Sequence, residues 1–169
     1  MRIAIINIFI SILIFSCVSS RQEGGVTERA FVVGPVTWEY WQANAEWDLY
    51  EAFDYEPDKE YINRLKELLY SKDYYFIIFA TTYCEDCEEN IPKAFKLFEL
   101  AEIPTERIKL FGLDENLKEP TGEYEKFDIG TTPVIFIQIN SEVAGEAGYP
   151  YFWLENFIEI LENYNDKHK

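Results

Sequence analysis

Thr81-Thr82-Tyr83-Cys84-Glu85-Asp86-Cys87 is the stretch whose reading decides the fold. It joins an apolar run, Tyr74 to Ala80, to a helical pattern running from about Glu88 to Ala101. An apolar run without alternation is what a strand covered on both faces requires. Two cysteines three positions apart at such a junction share one helical turn, so their sulfurs are close enough to bond. The N-terminus of the helix offers unpaired N–H groups and a partial positive charge to the first sulfur. That field favours thiolate, the form of cysteine that attacks disulfides. Further along, Pro92 falls inside the helix, five residues past Cys87. Gly130-Thr131-Thr132-Pro133 leads into a second apolar run, Val134 to Ile139, and Gly145 and Gly148 stand where a hairpin should turn.

Working outward toward the N-terminus, Pro57-Asp58 opens a helix. Asp58 is a good N-cap, and Ile62, Leu65, Leu68 and Leu69 form one apolar face ending by Lys72. Ala30 to Val36 reads as a strand interrupted by Gly34-Pro35. Thr37 caps a helix through Trp38, Trp41 and Ala45, extending toward Trp47, Tyr50 and Phe53; the helical spacing of these aromatics reads as core. Toward the C-terminus, Arg107 to Leu113 reads as a strand, Thr121 to Phe127 as a short helix and Ser141 to Ala144 as a hairpin return. Tyr149-Pro150 precedes a last helix, Tyr151 to Tyr164, with Phe152, Leu154, Phe157, Ile158 and Leu161 apolar. Strand–helix–strand followed by strand–strand–helix predicts an α/β fold: a central mixed β-sheet flanked by helices, with an N-terminal helical extension.

The 169 residues, 48% apolar and 17% aromatic, suffice for one well-cored domain with an appendage. A formal charge of −16 argues against nucleic acid as a partner and against lying flat on an anionic membrane. Met1-Arg2 is a basic start, and Ile3 to Phe15 is too short to span a bilayer, which takes about 20 apolar residues, but suits a signal peptide. Ile14-Phe15-Ser16-Cys17 resembles the bacterial lipobox. That resemblance implies cleavage before Cys17 and a lipid on its sulfur. Three cysteines are odd in number, and setting Cys17 aside leaves one pair. The expected organisation is a signal peptide over 1–16, a lipid-anchored flexible tether over 17–29, an N-terminal extension over 30–72, a core over 73–165 and a polar tail over 166–169. The chain is then exported to the bacterial cell envelope, touching a membrane through the lipid alone.

Cys84 and Cys87 admit other readings. A structural disulfide closing so short a loop would constrain little of the unfolded chain. Zinc wants four ligands, and the one histidine, His168, sits in the polar tail. The motifs together resemble the thioredoxin superfamily from about Asp73 to Tyr164. The resemblance implies that Cys84 is the attacking thiol and Cys87 the resolving one. It implies that Pro133 follows a cis bond facing the pair, with the Thr132 backbone free to bind substrate. Tyr83 stands where the family usually has tryptophan, and Ile78 where thioredoxin proper has a buried acid six residues before the first cysteine.

The implied function is thiol–disulfide exchange on exported protein disulfides, on the reducing side, with no cofactor beyond the Cys84–Cys87 disulfide. A membrane or thioredoxin-like electron donor is implied as partner. The alternative is a non-catalytic binding module of the cell envelope with a structural disulfide. Glu85 and Asp86, with Glu88 and Glu89, place negative charge beside Cys84 and are expected to hold its pKa near the free-thiol value of about 8.5. A pair so tuned would sit near thioredoxin's potential of about −270 mV.

Overall fold

The backbone is built on a five-stranded sheet in the order β1-β3-β2-β4-β5, seen in a computed structural model that describes residues 31–47, 52, 54–148 and 150–169. The expected signal peptide, the tether with Cys17, and Tyr50, Phe53 and Tyr149 lie outside the described residues. The strands are β1 (Gly34–Val36), β2 (Tyr74–Ala80), β3 (Ile108–Gly112), β4 (Val134–Ile139) and β5 (Glu142–Ala147). The helices are α1 (Trp38–Asn44), α2 (Lys59–Leu69), α3 (Glu85–Leu100) and α4 (Trp153–Lys167). β2 and β3 run parallel, joined by α3, while β4 is antiparallel to β2, and β5 to β4. β1 lies antiparallel on the outer edge of β3. The sheet is therefore mixed.

β2 shows why its apolar run is continuous. Phe76, Ile78 and Ala80 point into a core shared with all four helices, including Leu65, Phe98 and Phe157. Ile77 and Phe79 point the other way, into a second cluster with Phe111, Leu113, Val134 and Phe136. That second cluster is covered by Leu117, Tyr124, Phe127 and Ile129, from the long connection between β3 and β4. Alternation across a strand sends neighbours to opposite faces, and here both faces are dry.

Local signals explain the helix starts. The Thr37 side chain accepts from the Tyr40 N–H at 3.2 Å, and Asp58 from the Glu60 N–H at 2.7 Å. α1 stops at Asn44 instead of running on toward Trp47, since Glu46 takes a left-handed φ of 55°. The stretch from Thr121 to Phe127 yields only a 3-10 turn, Glu123–Lys126.

The hairpin differs from expectation. Its turn is made by Asn140 and Ser141, at φ 50° and 69°, and not by glycines. Asn tolerates the left-handed region, which makes Asn-Ser a workable two-residue turn. Gly145 instead lies inside β5, where a Cβ would come within 2.9 Å of the Ile160 side chain on α4. Its smallness lets the helix approach the sheet.

Candidate active site

α3 begins at the end of β2, and the residue that caps it is Cys84 itself. Its sulfur accepts from the Cys87 backbone N–H at 3.2 Å, the place a serine or aspartate oxygen usually takes. Cys84 is half-buried and Cys87 is fully buried beneath it; both are free thiols. α3 is continuous for 16 residues, with Pro92 inside it and buried. The Thr132–Pro133 peptide is cis, and the Thr132 carbonyl lies 3.4 Å from the Cys84 sulfur as an acceptor for its S–H. The structure thus brings Cys84 and Cys87 at the start of α3 together with Thr132 and Pro133 of the loop before β4.

The two thiols are driven apart in acidity. Donation from the Cys87 thiol is the main cause holding the Cys84 pKa down, to about 6. The Cys87 N–H and the Thr132 side chain add to it, against partial burial and the charge of Asp86. Cys87 goes the other way: burial first, then its bond to Cys84, push its pKa far up. The expected Cys84 value near 8.5 is thus corrected. Short-range donors aimed at the sulfur outweigh carboxylates that face solvent, because water screens the latter. Asp86 still opposes the thiolate, so its tuning role keeps the expected sign but not the expected size. Glu85 and Asp86 are both exposed.

Tyr83 is also exposed, with its hydroxyl donating to the Asp114 carbonyl at 3.1 Å and its ring meeting Phe31 edge-on at 4.9 Å. Ile78 is fully buried in the helix-side core. Among the described residues, no group of three or more His, Cys, Asp or Glu is gathered as a metal ion would need. No helix among them is long and apolar enough to cross a membrane.

Sequence reasoning missed two supports of the site. The Trp47 indole N–H donates to the Thr82 carbonyl at 2.9 Å, tying the N-terminal extension to the loop before Cys84. The Tyr151 hydroxyl donates to an Asp86 carboxylate oxygen at 3.2 Å, and the Trp153 indole to the Asn90 carbonyl at 3.1 Å. The 3-10 turn Pro150–Phe152 and the first residue of α4 therefore clamp the first two turns of α3. An indole or phenol in an otherwise apolar run is the one hint of such bonds, since a buried N–H needs a partner.

No family model and no curated protein matches this chain. Among solved structures, it is similar to a protein of unknown function from Pseudomonas aeruginosa, with 13% identity and a TM-score of 0.45, over 70% of this chain and 80% of that one. It is also similar to an HIV epitope scaffold, with 12% identity and a TM-score of 0.35, over 78% of this chain and 99% of that one. Likenesses this distant leave the function to be argued from the site.

Proposed function

We propose that the protein is a thioredoxin-like thiol–disulfide oxidoreductase that reduces disulfides of exported proteins through Cys84 and Cys87. The observation that carries this reading is the split between the two thiols. The helix-capping sulfur is half-buried and accepts the Cys87 N–H, which helps hold its pKa down, while its neighbour three residues on is fully buried, which pushes its pKa up. A nucleophile must be a thiolate and reachable, whereas a resolving thiol must stay inert until a mixed disulfide forms. The strand–helix–strand then strand–strand–helix order and the cis Thr132–Pro133 bond beside Cys84 support the family reading.

In the reaction the Cys84 thiolate attacks one sulfur of a substrate disulfide, the S–S bond breaks, and the leaving thiolate takes a proton from water. Cys87 then gives its proton to water and attacks the Cys84 sulfur. The Cys84–Cys87 disulfide forms and the second substrate thiolate departs. Two electrons pass from protein to substrate, and a dithiol donor must restore them. No bound cofactor enters this scheme. Export and lipid attachment at Cys17 complete the proposal, placing the domain in the cell envelope. There the restoring donor is a membrane protein or another thioredoxin-like protein.

Trapping tests the chemistry. Cys87→Ser should accumulate mixed disulfides through Cys84, identified by mass spectrometry, while Cys84→Ser should accumulate none and should fail to reduce insulin. If wild type and Cys84→Ser reduce insulin equally, the redox reading is wrong and a binding module with a structural disulfide takes its place. For the anchor, Cys17→Ala should leave unprocessed precursor or soluble product. A mature-sized variant that still sediments with membranes overturns the lipid.

A further inference from the structure

The surface around Cys84 combines two features that an ordinary soluble face does not need. The first is a set of large rings left open to water. Phe31 is 51% exposed and touches Tyr83, which is 43% exposed, directly before Cys84. Tyr151 and Phe152, 62% and 58% exposed, lie in the 3-10 turn that leads into α4, where Tyr151 reaches Asp86. Exposed rings from three separate segments, one directly before Cys84, one packed on that ring and one bonded to Asp86, mark a contact surface.

The second feature is charge of one sign. Glu85, Asp86, Glu88 and Glu89 occupy the first turns of α3, and Asp114 and Glu115 follow β3. These acids are interleaved with the rings. After burial, the Asp114 and Glu115 carboxylates are what push the Tyr83 phenol pKa up. For Tyr151 the hydrogen bond to Asp86 comes first, then the charges of Asp86 and Glu89. The bases of the same segments are Lys93, held by Glu89 at 2.8 Å, and Lys96 and Lys118 further off along helix and loop.

Resting on the thiol–disulfide exchange proposed above, we infer that the disulfides this site takes are those carried in cationic polypeptide segments. Lysine or arginine beside the substrate disulfide would set their charges on these carboxylates and their stems and cations on the rings of Phe31, Tyr83, Tyr151 and Phe152. Complementary charge raises the rate of encounter and excludes partners of like sign. An acidic segment approaching the same thiolate would meet both the carboxylates and the sulfur's own charge.

The test uses full-length protein in detergent, reduced beforehand, so that a single turnover draws its two electrons from the Cys84–Cys87 dithiol. Three disulfide peptides of equal length carry lysine, serine or glutamate beside the cystines. Each rate constant is divided by that of the same peptide with 2-mercaptoethanol, which removes intrinsic differences among the disulfides. At low ionic strength the lysine peptide should be faster than the serine peptide by about tenfold, and the glutamate peptide slower. The ordering should collapse at about 1 M salt, where the screening length falls to about 3 Å. It should also flatten in the triple variant Asp86→Asn, Asp114→Asn, Glu115→Gln, read as the lysine-to-serine ratio. Normalised rates that are equal for all three peptides, or a ratio untouched by the triple variant, overturn the inference while leaving exchange itself in place. If the serine peptide is not reduced and Cys87→Ser traps nothing, the exchange reading fails first and this one with it.

Discussion

The indole nitrogen of Trp47 and the carbonyl of Thr82, 35 residues apart in sequence, are joined by a 2.9 Å hydrogen bond two residues before Cys84. Trp47 is buried and packs edge-on against Trp41 at 5.1 Å. The N-terminal extension therefore does more than add core: it ties down the loop that precedes Cys84. Trp47→Phe keeps most of the ring volume and removes the donor. It should cost about 1 kcal/mol of stability and, in addition, slow alkylation of Cys84. Trp47→Ala opens a cavity as well and should cost about 3–5 kcal/mol. Denaturant melts measure the first effect and iodoacetamide kinetics the second. A Trp47→Phe protein with lower stability but unchanged Cys84 kinetics would reduce Trp47 to a core residue.

Cys84 should titrate by reactivity with a midpoint of about 6. Thiolate is the reacting species, so alkylation should rise with pH through that value and level off above neutrality. Cys87→Ala removes the largest cause of the depression, and its midpoint should move up toward the free-thiol value of about 8.5. Linkage gives a second readout on the reduced protein. A folded-state pKa below the unfolded one contributes stability that is fully present above the unfolded value and lost as pH falls through about 6. The oxidised protein has no such group at Cys84, so the stability difference between the two forms should shift toward the reduced form between about pH 6 and 8.5. A reactivity midpoint above about 8 would show that the donors do not stabilise the sulfur.

What the sequence revealed and what it hid divides along range. The buried strand β2, the caps Thr37 and Asp58, and the cysteines at a strand-to-helix junction are written in neighbours a few positions apart. The Trp47–Thr82 and Tyr151–Asp86 bonds are not, because periodicity reports which face of an element is apolar and says nothing of where one polar atom on that face will find its partner. The thiol pKa departs from the sequence expectation for a related reason. Counting charges near Cys84 in sequence weighs Glu85 and Asp86 fully, while the fold turns them to water and turns the Cys87 thiol and N–H to the sulfur. The hairpin glycines misled because glycine serves close approach as readily as it serves turns.

Gly112 and Gly130 differ in what a side chain would meet. Gly112 on β3 faces Gly34 of β1, and a Cβ there would lie 1.9 Å from the Val32 carbonyl oxygen. Backbone cannot yield as a side-chain tip can, so Gly112→Ala should detach β1 or prevent folding. Gly130 precedes the Thr132–Pro133 loop, and a Cβ there meets nothing within 4 Å. Gly130→Ala should fall within about 0.5 kcal/mol of wild type. Thermal melts and amide exchange of β1 and β3 test the pair. A well-folded Gly112→Ala with protected β1 amides would contradict the close approach.

The reduction potential should reflect the donors more than the acids. A thiolate stabilised in the reduced state makes the dithiol harder to oxidise, so the potential rises as the Cys84 pKa falls. With that pKa at about 6, the pair should lie between thioredoxin's roughly −270 mV and the roughly −120 mV of a strong oxidant with a far lower thiol pKa. The neighbours then tune it with definite signs. Asp86 opposes the thiolate, so Asp86→Asn should raise the potential. Tyr151 donates to Asp86 and blunts its charge, so Tyr151→Phe should lower it. Both groups are exposed and screened by water, and each change should stay within about 30 mV. Equilibration of the three proteins against glutathione buffers gives the values. A wild-type potential at or below about −270 mV, or shifts of the same sign in both variants, would mean that the Cys84 thiolate is not what sets the poise.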